Sequence, residues 1–452
     1  MKRWMSIGAV ALMTAAAARA DAQQEPGVTA FVDVAVVPMD RERVLEHQTV
    51  VIRDGRIVAL GPVTSIDVPA EARRIDGRDK YLMPGLSEMH AHIPGGNAPA
   101  QLVEDIMRLY IANGVTTIRG MLGAEPQFAL RERIESGELI GPRMFLAAPS
   151  LNGRSAPDPA TGTRLVREHV ASGWDLLKIH PGLSLETYDA IVQTAEAEGI
   201  TWAGHVPADV GVRHAITSGQ STIDHLDGYV EAVTPEPADL DAIDESTFAT
   251  LAELTVDAGT WNVPTAYLWE NFNSEVDPEA LARSAEMRYV PRAMVQGWIE
   301  QKRNMSAAQA GQGTTAQVGR AIVVARRALL RALDRAGARL LLGTDSPQMF
   351  NVPGFSLHHE IATLSQAGLS PFRILESGTR SVADYARTEL GHEGDFGVVA
   401  VGRAADLILL ESNPLEDAAR VAERVGVMRA GRWYSAAEID RWLAEMAARH
   451  EG

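Results

Sequence analysis

The chain has no cysteine. That excludes disulfides, thiolate-bound zinc, iron–sulfur clusters and a thiol nucleophile, so any metal site must be built from nitrogen and oxygen donors. A concentrated basic run is also missing: 42 Lys and Arg stand against 59 Asp and Glu, a formal net charge of −17. Displacing counterions from phosphates needs a basic face, so the composition argues against a nucleic-acid partner and speaks for solubility. After residue 22 no apolar stretch approaches the roughly 20 residues that cross a bilayer as a helix. What remains is ordinary globular composition, 46% hydrophobic and 22% charged over 452 residues. A chain of this length can bury a large core.

The first 22 residues have a different texture. Lys2 and Arg3 precede an apolar stretch over 7–18 that contains one polar residue, Thr14. Ala18-Arg19-Ala20 and Ala20-Asp21-Ala22 both fit the small-residue pattern before a cleavage site. The stretch is too short to span a membrane, and no cysteine can carry a lipid. The expectation is a signal peptide over 1–22 and an exported protein, periplasmic or secreted, with no membrane anchor after cleavage.

Short β-rich stretches at 31–37, 49–52 and 56–60, with a hairpin signal at Asp54-Gly55, have counterparts at 405–410 and 425–429. They predict a small β-sandwich domain assembled from both termini, 23–83 plus 388–452. Between them, over 84–387, short apolar strands alternate with helical patterns: 115–118, 144–146, 175–179, 201–205, 221–225, 261–265 and 339–345 are the candidate strands. Tyr188, Ile191, Val192 and Ala195 repeat at helical spacing in one of the intervals. Such alternation predicts an α/β fold, a (β/α)8 TIM barrel. The stretch 278–337 is longer than one barrel helix needs and predicts a helical insertion.

Chemistry gathers at the predicted strand ends. His90 and His92, two apart on a strand, share a face and can hold one divalent metal. Alone that pair is a weak signal, but His205, His225 and Asp345 each end a candidate strand, and barrel active sites sit at those ends. A buried acid at 345 is costly unless paired or metal-bound, its plain alternative being a helix N-cap. Lys178 lies inside an apolar strand, where desolvation favours the neutral amine; snorkelling or pairing with a carboxylate is the other option. Three more residues are candidates for substrate contact. His180 is on the face of Lys178, Tyr229 is placed to donate to a carbonyl or carboxylate, and Arg119 could clamp a carboxylate or make a structural salt bridge. His358-His359-Glu360 is assigned to a helix start near the mouth, with rim contacts at most.

These residues resemble the metal-dependent amidohydrolase superfamily. The matching pattern is Met83-Pro84-Gly85-Leu86-Ser87-Glu88-Met89-His90-Ala91-His92, Lys178, Gly204-His205-Val206-Pro207, Ile223-Asp224-His225-Leu226 and Gly343-Thr344-Asp345-Ser346-Pro347, closing with Gly402-Arg403-Ala404-Ala405-Asp406-Leu407. The resemblance spans about 28–435. It implies a two-metal site, usually zinc, with His90, His92 and Asp345 on one ion and His205 and His225 on the other. Lys178, carboxylated to a carbamate, would bridge them. It also implies amide or peptide hydrolysis by a metal-bridging hydroxide, with Asp345 shuttling the proton to the leaving nitrogen. Two departures stand out: Glu88 where the family often has Asp, and Ser381-Val382 where it commonly has Asn-Pro.

Within the superfamily the chain resembles exported prolidase-like and ochratoxinase-like carboxypeptidases, and imidazolonepropionase-like sequences; Lys178 argues against true imidazolonepropionase activity. The expected substrates are Xaa-Pro dipeptides, other small peptides or N-acyl amino acids. A lactone or phosphoester hydrolase, or a non-catalytic exported binding protein, are the rival readings. The sequence leaves a homo-oligomer open.

Overall fold

The computed structural model describes residues 27–234, 240, 243–311 and 315–451; the expected signal peptide lies outside them. The strands, in chain order, are β1 (Val28–Val36), β2 (Leu45–Arg53), β3 (Arg56–Pro62), β4 (Arg73–Asp76), β5 (Tyr81–Pro84), β6 (Leu86–Ala91), β7 (Val115–Gly120), β8 (Arg143–Leu146), β9 (Leu177–Ile179) and β10 (Trp202–Gly204). They continue with β11 (Thr222–Asp224), β12 (Trp261–Val263), β13 (Arg339–Leu340), β14 (Leu407–Leu410), β15 (Arg424–Arg429) and β16 (Arg432–Ser435).

Parallel pairing runs β6-β7-β8 and β9-β10-β11-β12-β13. A parallel bridge from Ala147 to Leu176 joins the two sets. The ring closes where Met89 N–H donates to Leu342 O and Asp345 N–H donates to His90 O, both at 2.8 Å. Eight parallel strands thus form a (β/α)8 barrel. Strands and helices are set by local signals. Helix Leu185–Glu198, for example, starts at Ser184, whose hydroxyl accepts from Thr187 N–H. It buries Tyr188, Ile191, Val192 and Ala195 against the barrel. Within the stretch expected to be an insertion, helices Arg292–Gly311 and Ala316–Ala336 are the long elements.

The remaining strands form one sheet in the order β16-β15-β14-β5-β1-β2-β3, with β4 beside β1. In a flat sheet β1 and β16 would stand roughly 19 Å apart, four spacings of about 4.8 Å. Instead Phe31 of β1 and Trp433 of β16 meet edge to face with ring centroids 5.3 Å apart. The β15–β16 hairpin also abuts the β2–β3 hairpin so closely that a Cβ on Gly431 would lie 2.7 Å from Gly55 Cα. The sheet therefore folds over on itself, sandwich-like, around Phe31, Val50, Leu82, Leu407 and Met428. Sequence patterning missed β4, β5, β16 and the terminal helix Ala436–Glu451, which packs on the barrel side through Trp442 and Met446. Among the described residues no helix is long and apolar enough to cross a membrane.

Asp406 joins sheet to barrel. It is buried, lies 3.2 Å from Arg143 of β8 and 3.1 Å from Arg429 of β15, and accepts from Ala430 N–H. Burial works to raise its pKa, but the two guanidiniums win and hold it below the usual carboxylate range. Asp406→Asn leaves both cations without a counter-charge and is expected to cost about 3 kcal/mol by denaturant unfolding. Because the folded pKa is lowered, the difference from wild type should be full near neutrality and shrink as pH falls through the carboxylate range. An unchanged unfolding midpoint at pH 7 would refute the role.

Candidate metal centre

The strand ends bring six predicted ligands together. His90 lies near the end of β6 and His92 immediately follows it, Lys178 lies in β9, His205 and His225 immediately follow β10 and β11, and Asp345 sits beyond β13 on the chain that seals the ring. Ring centroids are 4.5 Å apart for His90–His225 and for His205–His225, and 5.5 Å for His90–His92. Lys178 Nζ is 3.2 Å from His90 Nε2. Asp345 Oδ1 is 2.6 Å from His92 Nε2 and 3.6 Å from His90 Nε2, while its Oδ2 is 3.9 Å from His225 Nε2. The tightest group is His90, His225 and Asp345, with one ligand atom from each within 4.8 Å of the others. It draws on both of the metal sets implied by the family resemblance, so the two sets share one compact cluster around Asp345.

What lies behind the rings decides which atoms face inward. His205 Nδ1 is 2.8 Å from Asp227 Oδ2, and His225 Nδ1 is 2.8 Å from Thr265 Oγ1. His90 Nδ1 makes a bent contact with Asp224 Oδ2 at 2.8 Å. His205 and His225 are thus hydrogen-bonded at Nδ1 and His90 Nδ1 lies against Asp224, leaving Nε2 for the centre, the arrangement by which outer partners fix the tautomer of metal-binding histidines. Burial holds His90 and His225 well below the usual imidazole range, so both are neutral with a lone pair to give. Burial also pushes Lys178 down to about 8. Of the inward atoms, His225 Nε2 is buried with no hydrogen-bond partner, and Asp345 Oδ1 has only its 2.6 Å contact with His92 Nε2. Leaving such an atom unsatisfied costs about 1–3 kcal/mol. A divalent cation removes that cost, and the all-N/O donor set suits it.

Backbone strain is concentrated at the same place. His225 and Asp345 have φ of 60° and 66°, and Thr265 has 45°. Each such position costs about 1–3 kcal/mol. The turn at 225 explains why Asp224 and His225 both face the centre, although strand alternation sends neighbours to opposite sides. Gly204, at φ 124°, makes room for the lysine: a Cβ there would lie 2.5 Å from Ile179 O and 3.0 Å from Lys178 Cδ.

The three predicted substrate contacts fare differently. His180 stays at the site, its ring tilted against His205 with centroids 4.6 Å apart and its Nδ1 2.8 Å from Ser150 Oγ. Burial and the neighbouring His205 push it down to about 3. Arg119 does not reach a substrate position. It is fully buried, donates to Met89 O and Tyr385 Oη, and pairs with Asp224 at 3.2 Å, so its guanidinium holds up the site from within. Tyr229 is equally buried, with its hydroxyl engaged by Thr255 at 2.7 Å and Asn262 at 3.1 Å. Neither is free to meet a ligand. Asp224, Asp227 and Thr265 went unrecognised in the sequence. Asp224 and Asp227 flank His225, a local signal, but Thr265 is forty residues away and carries none. Glu88 is another surprise. Its buried carboxylate accepts from Thr344 N–H at 2.7 Å, Thr344 Oγ1 at 2.5 Å and His90 N–H at 3.0 Å, and burial pushes it up to about 8.

With this geometry in view, the comparisons are specific about class. Residues 81–434 match the model of the amidohydrolase family, and the chain belongs to it. Among curated relatives, the enamidase of Eubacterium barkeri is 33% identical over 95 residues, 21% of this chain and 24% of the enamidase, so the match spans about a quarter of that protein. Solved structures align over nearly the whole chain. A bottromycin amidohydrolase gives a TM-score of 0.72 at 22% identity, covering 94% of this chain and 91% of its own. A Xaa-Pro dipeptidase with bound methionine gives 0.66 at 20% identity, covering 90% and 100%. The ochratoxinase of A. niger gives 0.64 at 18%, covering 91% and 96%. Similarity at these identities carries the fold and not the substrate.

Gly204→Ala should displace Lys178 and lower stability by about 1–3 kcal/mol, the usual cost of overpacking. Denaturant unfolding alongside elemental analysis checks this. A variant with wild-type stability and wild-type metal content would contradict the close fit.

Proposed function

We propose that this chain is an exported hydrolase with a two-metal site, cutting the amide C–N bond of small peptides or N-acyl amino acids. The observation that carries the proposal is the convergence of inward donor atoms at a barrel mouth, His90 Nε2, Asp345 Oδ1 and the unpartnered His225 Nε2. Family membership supplies the reaction class, and peptide-like substrates are proposed by analogy with the Xaa-Pro dipeptidase and the bottromycin amidohydrolase, which share the fold. Export rests on the residue pattern over 1–22 alone.

His90, His92, His205, His225 and Asp345 would hold the ions, zinc being the family's usual choice. Divalent cations there would polarise the scissile carbonyl and make water a better nucleophile near neutral pH. The chain's own residues do the rest. Asp224, Asp227 and Thr265 keep the three imidazoles turned inward. Gln348 Nε2 donates to Asp345 Oδ2 and orients the carboxylate that takes a proton and returns it to the leaving nitrogen. His180, half-buried beside His205, is the remaining candidate to touch substrate.

Lys178 fits the bridging role. Buried, and shifted by burial toward the neutral amine, it can add to CO2, forming an N–C bond and releasing one proton to leave an anionic two-oxygen ligand. In protein equilibrated with 13C-bicarbonate and zinc, a carbamate carbon resonance should be present in wild type and missing in Lys178→Ala. Its absence from zinc-loaded wild type would remove the bridge from the proposal.

The activity itself is tested by incubating zinc-loaded protein with Xaa-Pro dipeptides, other dipeptides and N-acyl amino acids, and reading free amino acid by mass spectrometry. Release from at least one class, lost by a factor of about 100 or more in Asp345→Asn, is expected. No release from any of them, with hydrolysis of lactone or phosphoester controls, would move the reaction to another bond. No hydrolysis at all would favour a binding protein.

A further inference from the structure

Thr265 stands at the N-cap of helix Ala266–Asn273, where a threonine hydroxyl ordinarily accepts from the helix's own first N–H groups. Here it makes no such cap. Its Oγ1 is engaged instead by His225 Nδ1 at 2.8 Å. The N–H groups of Ala266 and Tyr267 at the helix start go to a remote side chain: Glu360, fully buried on helix Phe355–Ala367, accepts from them at 2.9 Å and 2.7 Å, one through each carboxylate oxygen. A carboxylate at a helix N-terminus is electrostatically well placed. The same left-handed segment is held from the other side by Arg326, which lies over the Trp269 ring at 4.3 Å and donates to His225 O. Among the described residues Arg326 has no carboxylate within salt-bridge distance. Two buried polar side chains on two outer helices therefore grip the strained backbone at 225 and 265.

We propose that Glu360 is a positioning residue for the metal centre: by capping helix Ala266–Asn273 in place of Thr265, it releases the Thr265 hydroxyl to hold His225 with Nε2 turned inward. The proposal rests on His225 being a metal ligand. It gives a task to a carboxylate that a purely local sequence assignment leaves at the rim. Without Glu360, the two N–H groups lose their acceptor and the nearest replacement is Thr265 itself. Its hydroxyl then turns back to the helix, and the His225 ring loses the contact that fixes its orientation.

The test is zinc affinity of the full chain by competition with a chromophoric chelator, for Glu360→Gln, Thr265→Val, Thr265→Ser and the Glu360→Gln/Thr265→Val double variant. Loss of an outer partner of a metal-bound histidine weakens binding about 10–100-fold. Glu360→Gln and Thr265→Val should each show a loss in that range, and Thr265→Ser, which keeps the hydroxyl, should stay near wild type. If Glu360 acts through Thr265, the double variant loses no more than the worse single one. A helix cap with no bearing on the site would lower the melting temperature of Glu360→Gln while leaving zinc affinity unchanged, and that result overturns the proposal. So would a double variant whose loss is the product of the two. If Glu360→Gln does not fold, the Thr265→Val and Thr265→Ser pair decides, since wild-type affinity in Thr265→Val removes the hydroxyl's role. Nitrogen-15 shifts of labelled histidines in metal-free protein supply a separate readout. His225 should be protonated at Nδ1 in wild type and change in Thr265→Val, and this can be seen even if the wild type retains no zinc, which would count against the proposed function alone.

Discussion

The seam that closes the barrel is the contact on which the site depends. Asp345 N–H donates to His90 O, Met89 N–H to Leu342 O and His92 N–H to Ser346 O, so the backbone that joins the last strand to the first is the backbone that carries three of the six predicted ligands. Regular pairing of β13 ends at Leu340, and the chain beyond it is held by these bonds and by the Glu88 carboxylate, which reaches across to Thr344. A barrel could close with any residues at the seam. Closing it with these fixes Asp345 against His90 and His92 at distances set by main-chain geometry, which is stiffer than any side-chain contact.

The second constraint is the handling of charge in a dry interior. Isolated buried ions are costly, so each charge at the site has a partner or is neutralised. Asp224 answers Arg119, and Arg119 is held further by Tyr385 and Met89. The imidazoles are neutral and the lysine is shifted toward neutrality. What is left unanswered points to a single place, the pocket between His90, His225 and Asp345. A cysteine-free chain reaches that result with nitrogen and oxygen donors alone, and pays for it in backbone strain at 225, 265 and 345.

Much of this was legible from residue order. Short apolar strands ending in His205, His225 and Asp345 exposed both the barrel and its mouth, because strand termini and function coincide in that architecture. The hairpin at Asp54-Gly55 and the return of β-rich texture near 405 exposed the second sheet. Other features were out of reach for physical reasons. Strand alternation places Asp224 and His225 on opposite faces, and only the left-handed turn at 225 brings them to the same one. Arg119 and Tyr229 have the chemistry of substrate contacts, and nothing in their neighbours along the chain reveals that their polar atoms are already taken by Asp224 and Asn262. Glu360 and Thr265 meet only through a helix start that is ninety residues from one of them. Long-range pairing of polar groups is the part of the fold that local pattern does not encode.

The inward nitrogen and carboxylate atoms at this mouth are proposed to hold divalent metal. The most direct measurement is anomalous diffraction at the zinc edge from crystals of zinc-loaded protein. Two peaks in the barrel mouth, one touching His90 and Asp345 and both within coordination distance of the Lys178 side chain, are the predicted result. A mouth without an anomalous peak, or zinc confined to surface carboxylates, would contradict it.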